Sequence, residues 1–154
     1  MEYPKVSILI PVLNAGKVLE ECLSSIEIQD YPKNKVELII ADGGSKDKTL
    51  EIAKKYRAEV VENPLKTAES GKKQALDSAT GDFCALIDSD NILPNKNWLR
   101  EMIFPLLENP EAVGSEPWKY VWRKEDGFIA RYCALMGMND PLVYFLGNYD
   151  RMNL

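Results

Sequence analysis

VELIIADGGSKDKTLEIAKKY, residues 36–56, changes its hydrophobic period once along its length, and that change decides the fold. Val36 to Ala41 is a short, almost unbroken apolar run, the pattern of a strand buried on both faces of a sheet. Asp42-Gly43-Gly44-Ser45 ends the run, and its glycines permit positive φ and close approach of a ligand to the backbone. From about Asp47 to Tyr56 the residues Ile52, Ala53 and Tyr56 fall on one side of a helix. Strand, glycine loop and helix in this order form one unit of a parallel α/β sheet.

The same unit recurs on either side. Upstream, Val6 to Val12 reads as a buried strand, Asn14-Ala15-Gly16 as a turn, and Lys17 to Gln29 as a helix. Its apolar stripe is Leu19, Cys22, Leu23 and Ile26, and Tyr31-Pro32 ends it. Downstream, Glu59 to Glu62 is a short strand and Asn63-Pro64 a turn. Glu69 to Ala79 is a helix that stops at Gly81, the residue type favoured just past a helix end. Phe83 to Ile87 is a fourth strand, and Trp98, Leu99, Met102, Ile103 and Leu106 mark the face of another helix. Short connections and right-handed crossovers then predict a mostly parallel sheet with helices on both faces. Beyond Pro110 the pattern weakens. Ala112 to Ser115 is expected as a strand, Asp126 to Met138 as a helix, and Leu142 to Leu146 as an apolar run with no assigned partner.

Composition narrows the function. The 154 residues suit one globular core, and 24 acidic against 19 basic residues give a net charge of −5. No basic block offers a track for a phosphate backbone, so a nucleic-acid partner is not expected. The chain has no histidine, so carboxylates must carry any polar chemistry. Cys22, Cys84 and Cys133 are widely spaced, odd in number and set in apolar or helical contexts. They suggest neither a disulfide framework nor a metal site, and a reducing, cytoplasmic compartment is expected. No stretch approaches the ~18 consecutive apolar residues of a membrane span.

In open α/β sheets ligands bind beyond the carboxyl ends of the strands. Three polar clusters fall there. Pro11-Val12-Leu13-Asn14 can offer backbone groups to a base, although taken by itself it reads more readily as an ordinary strand-to-helix turn. Asp42 can accept from a base imide N–H or a ribose hydroxyl, against the alternative of a turn aspartate. Asp88-Ser89-Asp90 places two carboxylates two residues apart where the fourth strand ends. Such carboxylates suit Mg²⁺ or Mn²⁺ completed by substrate phosphates, though a bare DxD is common by chance. Lys72 and Lys73, near the start of the preceding helix, can approach a diphosphate.

Taken together, VSILIPVLNAGKVLEECLSSI, ELIIADGGSKDKTLEIAKKY and SGKKQALDSATGDFCALIDSDNILPNKNWL resemble the opening half of a family 2 glycosyltransferase of the GT-A fold. The resemblance runs from about Lys5 to Leu107, with the segments in the right order. It implies a GT-A, Rossmann-like sheet over residues 1–110. Residues 111–154 would begin an acceptor-binding region, truncated at the C-terminus. It also implies that Pro11 and Asn14 line the nucleoside pocket, that Asp42 recognises the base, and that Lys72 approaches the diphosphate. Asp88 and Ser89 would lie near ribose and diphosphate, with Asp90 and Asp88 as ligands of Mn²⁺ or Mg²⁺.

The implied activity is metal-dependent, inverting transfer of a sugar from a nucleoside-diphosphate sugar to the hydroxyl of a saccharide or lipid-linked acceptor. Two features depart from the family pattern. Leu13 stands where many relatives carry an aromatic residue. No downstream carboxylate among Glu116, Glu125, Asp126, Asp140 and Asp150 matches a catalytic-base motif, so the base is expected to lie outside this chain. A donor-binding fragment without catalysis and a nucleotidyltransferase are the competing readings, although the latter lacks its glycine- and basic-rich phosphate loop after the first strand. Exposure of Leu142 to Leu146 would favour self-association, and is compatible with peripheral attachment to the cytoplasmic face of a membrane.

Overall fold

The computed structural model describes residues 2–117, 124, 127–129 and 131. Among them strands and helices alternate as β1 (Val6–Val12), α1 (Leu19–Glu27), β2 (Val36–Asp42), α2 (Thr49–Lys55), β3 (Glu59–Glu62), α3 (Ala68–Ser78), β4 (Phe83–Leu86) and α4 (Trp98–Glu108). A single 3₁₀ turn, Lys33–Lys35, leads into β2. The strands are all parallel and lie in the order β3-β2-β1-β4. The chain builds outward from β1 to β3 and then returns to the other flank of β1. Strand order therefore reverses between β1 and β4, the place where open sheets leave a crevice at their carboxyl edge.

β1 is buried along its whole length, which explains its lack of polar alternation. On one face Val6, Ile8, Ile10 and Val12 pack with Leu19, Cys22, Leu23 and Ile26 of α1, with Ile52 and Ala53 of α2, and with Leu99 and Ile103 of α4. Each fully buried leucine or isoleucine there contributes about 1.5–3 kcal/mol of burial free energy. On the other face Leu9, Ile39 and Ala41 meet Ala75 of α3. Helices thus cover both faces, as expected.

Pro11 sits inside this central strand without costing a ladder bond. Ile87 N–H donates to Leu9 O at 3.1 Å, so by alternation the missing Pro11 N–H faces the β4 side. Pro11 lies beyond Leu86, the last residue of β4 paired with β1. The two strands are free to part at that point.

Three local expectations are corrected. Residues 112–115 form no strand; Ala112 N–H instead closes a turn onto Asn109 O at 3.0 Å. Cys84 is exposed rather than set in an apolar context, because along β4 it and Leu86 alternate away from Phe83 and Ala85, which pack against the core. Gly81 is no left-handed helix terminator. A Cβ there would lie 2.6 Å from Ser7 Oγ and 2.7 Å from Ser7 N, so close approach to β1 demands glycine.

The chain divides into two compact units, Met1–Leu107 and Glu108–Leu154. The first holds the sheet. In the second, the described residues include a helical turn in which Arg131 N–H donates to Gly127 O at 3.1 Å. Most of the helix expected over 126–138, the apolar run 142–146, Cys133 and the carboxylates at 125, 126, 140 and 150 lie outside the described residues. Among the described residues no helix is long and apolar enough to cross a membrane.

Candidate functional site

The loops that leave β1 and β2 are stitched to each other. Asn14, in the left-handed region at φ 53°, donates its N–H to Ser45 Oγ at 2.8 Å. Its Oδ1 accepts from Lys46 N–H at 2.9 Å. Asparagine tolerates this conformation better than most residues. Asp42, half-buried at the end of β2, accepts from Gly44 N–H at 3.0 Å and from Ser45 N–H at 3.0 Å through Oδ2 and 3.2 Å through Oδ1. It behaves as a turn aspartate and still keeps lone pairs on Oδ1 for another donor. Leu13 is 45% exposed, which leaves an apolar surface beside this loop.

Asp47 completes the stitching and was not singled out from the sequence. Its carboxylate accepts from Gly16 N–H at 2.9 Å, from Thr49 N–H at 3.0 Å and from Thr49 Oγ1 at 2.5 Å. The Thr49 hydroxyl bond, foremost, holds the Asp47 carboxyl below its usual range despite some desolvation. The D-x-T spacing at the start of α2 is the signal that could have found it, because an aspartate there satisfies otherwise orphan helix N–H groups.

Pro11, expected to line the nucleoside pocket, is buried beneath α3. A Cβ on Gly71 would come 2.7 Å from Pro11 Cβ and 2.9 Å from Asn63 Nδ2, so α3 rests directly on β1 there. Asn63 is only 3% exposed; its Nδ2 donates to Thr67 O at 2.9 Å, while its Oδ1 has no hydrogen-bond partner. A buried amide oxygen without a donor is costly, so Asn63 is more than the plain turn residue that the sequence suggests.

At the β4 edge, Asp88 and Asp90 are exposed and Ser89 is half-buried. Asn91 N–H donates to Asp88 O at 3.0 Å, which turns the chain at the triplet. Lys72 of α3 places Nζ 2.8 Å from Asp88 Oδ1. Lys73, by contrast, points along its own helix to Asp77 Oδ2 at 2.5 Å. The structure therefore brings Lys72 to Asp88 and leaves Lys73 in a solvated pair.

Helix α1 holds the loop after Asp90 in place. The Cys22 thiol donates to Asp88 O at 3.8 Å, and burial first, then the nearby Asp90 charge, push its pKa up to about 12. It stays a neutral thiol. Ser25 Oγ donates to Cys22 O at 2.7 Å and accepts from Leu93 N–H at 3.0 Å. Gln29 bonds three backbone groups: Nε2 donates to Ser25 O at 3.0 Å and Asn95 O at 2.8 Å, and Oε1 accepts from Leu99 N–H at 3.1 Å. Ser25 and Gln29 are both buried polar residues, and each is satisfied through the loop.

The donor set suits a hard divalent cation. Asp90 makes no hydrogen bond or ion pair among the described residues, so its carboxylate is available; Asp88 has one oxygen engaged by Lys72. No three carboxylates, thiols or imidazoles cluster among the described residues to hold a metal unaided. Two carboxylates completed by phosphate oxygens fit the coordination habit of Mg²⁺ and Mn²⁺.

Comparison with known proteins bears on the family of the chain. The model of the family described as Glycosyl transferase family 2 matches residues 7–132. Glycosyltransferase AglE of Haloferax volcanii is 30% identical over 102 residues, covering 62% of this chain and 33% of that protein. The poly(ribitol-phosphate) beta-N-acetylglucosaminyltransferase TarS of Staphylococcus aureus is 35% identical over 103 residues, covering 63% of this chain and 18% of that protein. The chain thus spans a third or less of either relative. Among solved structures, S. aureus TarS 1–349 in complex with UDP superposes with a TM-score of 0.61 at 32% identity, over 68% of this chain and 32% of the other. A mannosyltransferase from Pyrobaculum calidifontis in complex with GDP-Man and Mn²⁺ gives 0.64 at 25% identity, over 88% and 39%.

Proposed function

From the premise that this chain belongs to glycosyl transferase family 2, we propose that it forms the donor-binding part of a metal-dependent, inverting glycosyltransferase acting on a nucleoside-diphosphate sugar. The observation that carries the reading is the Asp88-Ser89-Asp90 turn, set beside the strand-order reversal, with Lys72 Nζ 2.8 Å from Asp88. What supports the donor class is that similar structures hold UDP in one case and GDP-Man with Mn²⁺ in another.

Each residue has a defined task in this reading. Asp90, with Asp88, would hold Mn²⁺ or Mg²⁺, a group that would supply positive charge for a departing diphosphate. Lys72, beside Asp88, would add its own positive charge for the diphosphate. Asp42 accepts the base N–H through its remaining lone pairs, and Asn14 and Ser45 keep its loop in register. The acceptor hydroxyl, on a saccharide or a lipid-linked saccharide, attacks the anomeric carbon opposite the departing diphosphate and gives its proton to a carboxylate outside this cluster. One glycosidic bond forms as the sugar–phosphate bond breaks.

Calorimetric titration of UDP, GDP, dTDP and CDP, with and without Mn²⁺, tests the proposal. Binding of at least one diphosphate should require Mn²⁺ and be sharply weakened in Asp90→Ala. Metal-independent binding, or no binding across the panel, would sink it.

A further inference from the structure

Lys66 is held in the left-handed region, at φ 60°, where glycine would sit without strain. Two other non-glycine residues share that region, Asn14 and Arg57. Asparagine tolerates it, and Arg57 closes the end of α2, where its N–H reaches Lys54 O at 3.1 Å. Lys66 has a comparable turn bond, N–H to Asn63 O at 3.1 Å, but its side chain does something the other two do not.

Its stem runs along the glycine pair that follows Asp42. A Cβ placed on Gly43 would come 3.4 Å from Lys66 Cα, and one placed on Gly44 would come 3.9 Å from Lys66 Nζ. The N–H of that same Gly44 stands 3.0 Å from Asp42 Oδ2. Among the described residues the Lys66 ammonium makes no ion pair or hydrogen bond. A free cationic donor and a carboxylate acceptor therefore flank one two-glycine segment. Leu13 supplies an apolar contact to it, with Cδ1 3.3 Å from where a Gly43 Cβ would be.

We propose that Lys66 determines which nucleobase the chain accepts, by donating to a base carbonyl while Asp42 accepts the adjacent ring N–H. The inference rests on the donor-site reading above and deepens it. Uracil and thymine carry a ring N–H between two carbonyls, and guanine carries one beside its carbonyl. Cytosine and adenine present instead a bare ring nitrogen beside an exocyclic amine. That edge would set a lone pair against Asp42 and N–H groups against Lys66, two mismatches of the kind that discriminate strongly. A lysine in a conformation that glycine would adopt without strain fits a position where the side chain has a task.

The test uses the whole chain with UDP, GDP, CDP, ADP and inorganic pyrophosphate, each titrated with Mn²⁺ into wild type, Lys66→Met and Lys66→Gly. Wild type should prefer UDP or GDP over CDP and ADP by at least tenfold. Both variants should lose most of that preference while pyrophosphate affinity stays within twofold. Lys66→Gly should melt at or above the wild-type temperature, so that its loss of preference cannot be a folding defect. Preference retained in both variants, an equal loss for pyrophosphate, or a lowered melting temperature in Lys66→Gly would each overturn the role of Lys66 and leave the donor site standing. Absence of any nucleotide binding by wild type would overturn both.

Discussion

Lys72 Nζ lies 2.8 Å from Asp88 Oδ1, joining the first half of α3 to the turn that follows β4. The side chains are 32% and 55% exposed, so the pair adds little to stability on its own. In the proposed reading its weight would be functional, because an ammonium rests on one of the two carboxylates assigned to the metal. An anionic ligand bound beside Asp88 would offer Lys72 a second, more highly charged partner.

Replacing Lys72 by methionine should weaken Mn²⁺-supported binding of UDP or GDP about tenfold, ~1.4 kcal/mol, the scale of one partly screened charge-assisted contact. The dependence of affinity on salt should flatten as well. Calorimetry at two ionic strengths reads both quantities. An unchanged affinity would confine Lys72 to a partnership with Asp88.

Gln29 is expected to govern the loop between Asp90 and α4. Gln29→Leu keeps an apolar stem but leaves Leu99 N–H and Asn95 O without their amide partner. The cost should be about 2 kcal/mol in chemical denaturation, the usual penalty for stranding buried polar groups. Hydrogen exchange should quicken at Leu99. A loss below ~0.5 kcal/mol would mean that water or a shifted loop satisfies both groups.

The opposite edge of the sheet carries a titratable network. Burial alone would raise the Glu37 carboxyl. Bonds from Ser7 Oγ at 2.6 Å and from Thr80 N–H at 3.0 Å, the Thr80 hydroxyl, and Lys5 at 3.6 Å outweigh it and hold the pKa below its ordinary value. A carboxyl depressed in the folded state stabilises fully above its unfolded pKa and loses that contribution as pH falls through the folded one. Melting temperature should therefore drop below about pH 4 more steeply in wild type than in Glu37→Gln, which should be less stable at neutral pH. Parallel pH profiles for the two proteins would refute the assignment.

Much of this architecture is legible in the sequence because its signals are local. β1, β2 and β4 are short apolar runs, and the stripe Leu19, Cys22, Leu23, Ile26 repeats at helical spacing. Their order alone predicts parallel strands with helices on both faces. The Asp42 and Asp88-Ser89-Asp90 loops are legible for the same reason, since each directly follows a buried strand. Ser25, Gln29, Asp47 and Asn63 were not. Ser25 and Gln29 read as polar positions on an amphipathic helix, and only the fold carries residues 93–99 across to meet them. Gly81 was misread because a glycine after a helix looks the same whether it serves positive φ or, as here, close approach to β1.

The sequence by itself determined the succession of strands and helices and put carboxylates at strand ends, because hydrophobic period and turn chemistry act over a few residues. The tertiary structure alone decided that β4 returns beside β1, that Lys72 rather than Lys73 faces Asp88, and that Lys66 lies along the glycines after Asp42. Those pairings join groups far apart in the chain, and which of them form depends on how α3 settles on β1. Gly71 permits that settling by leaving Pro11 and Asn63 the space a Cβ would take.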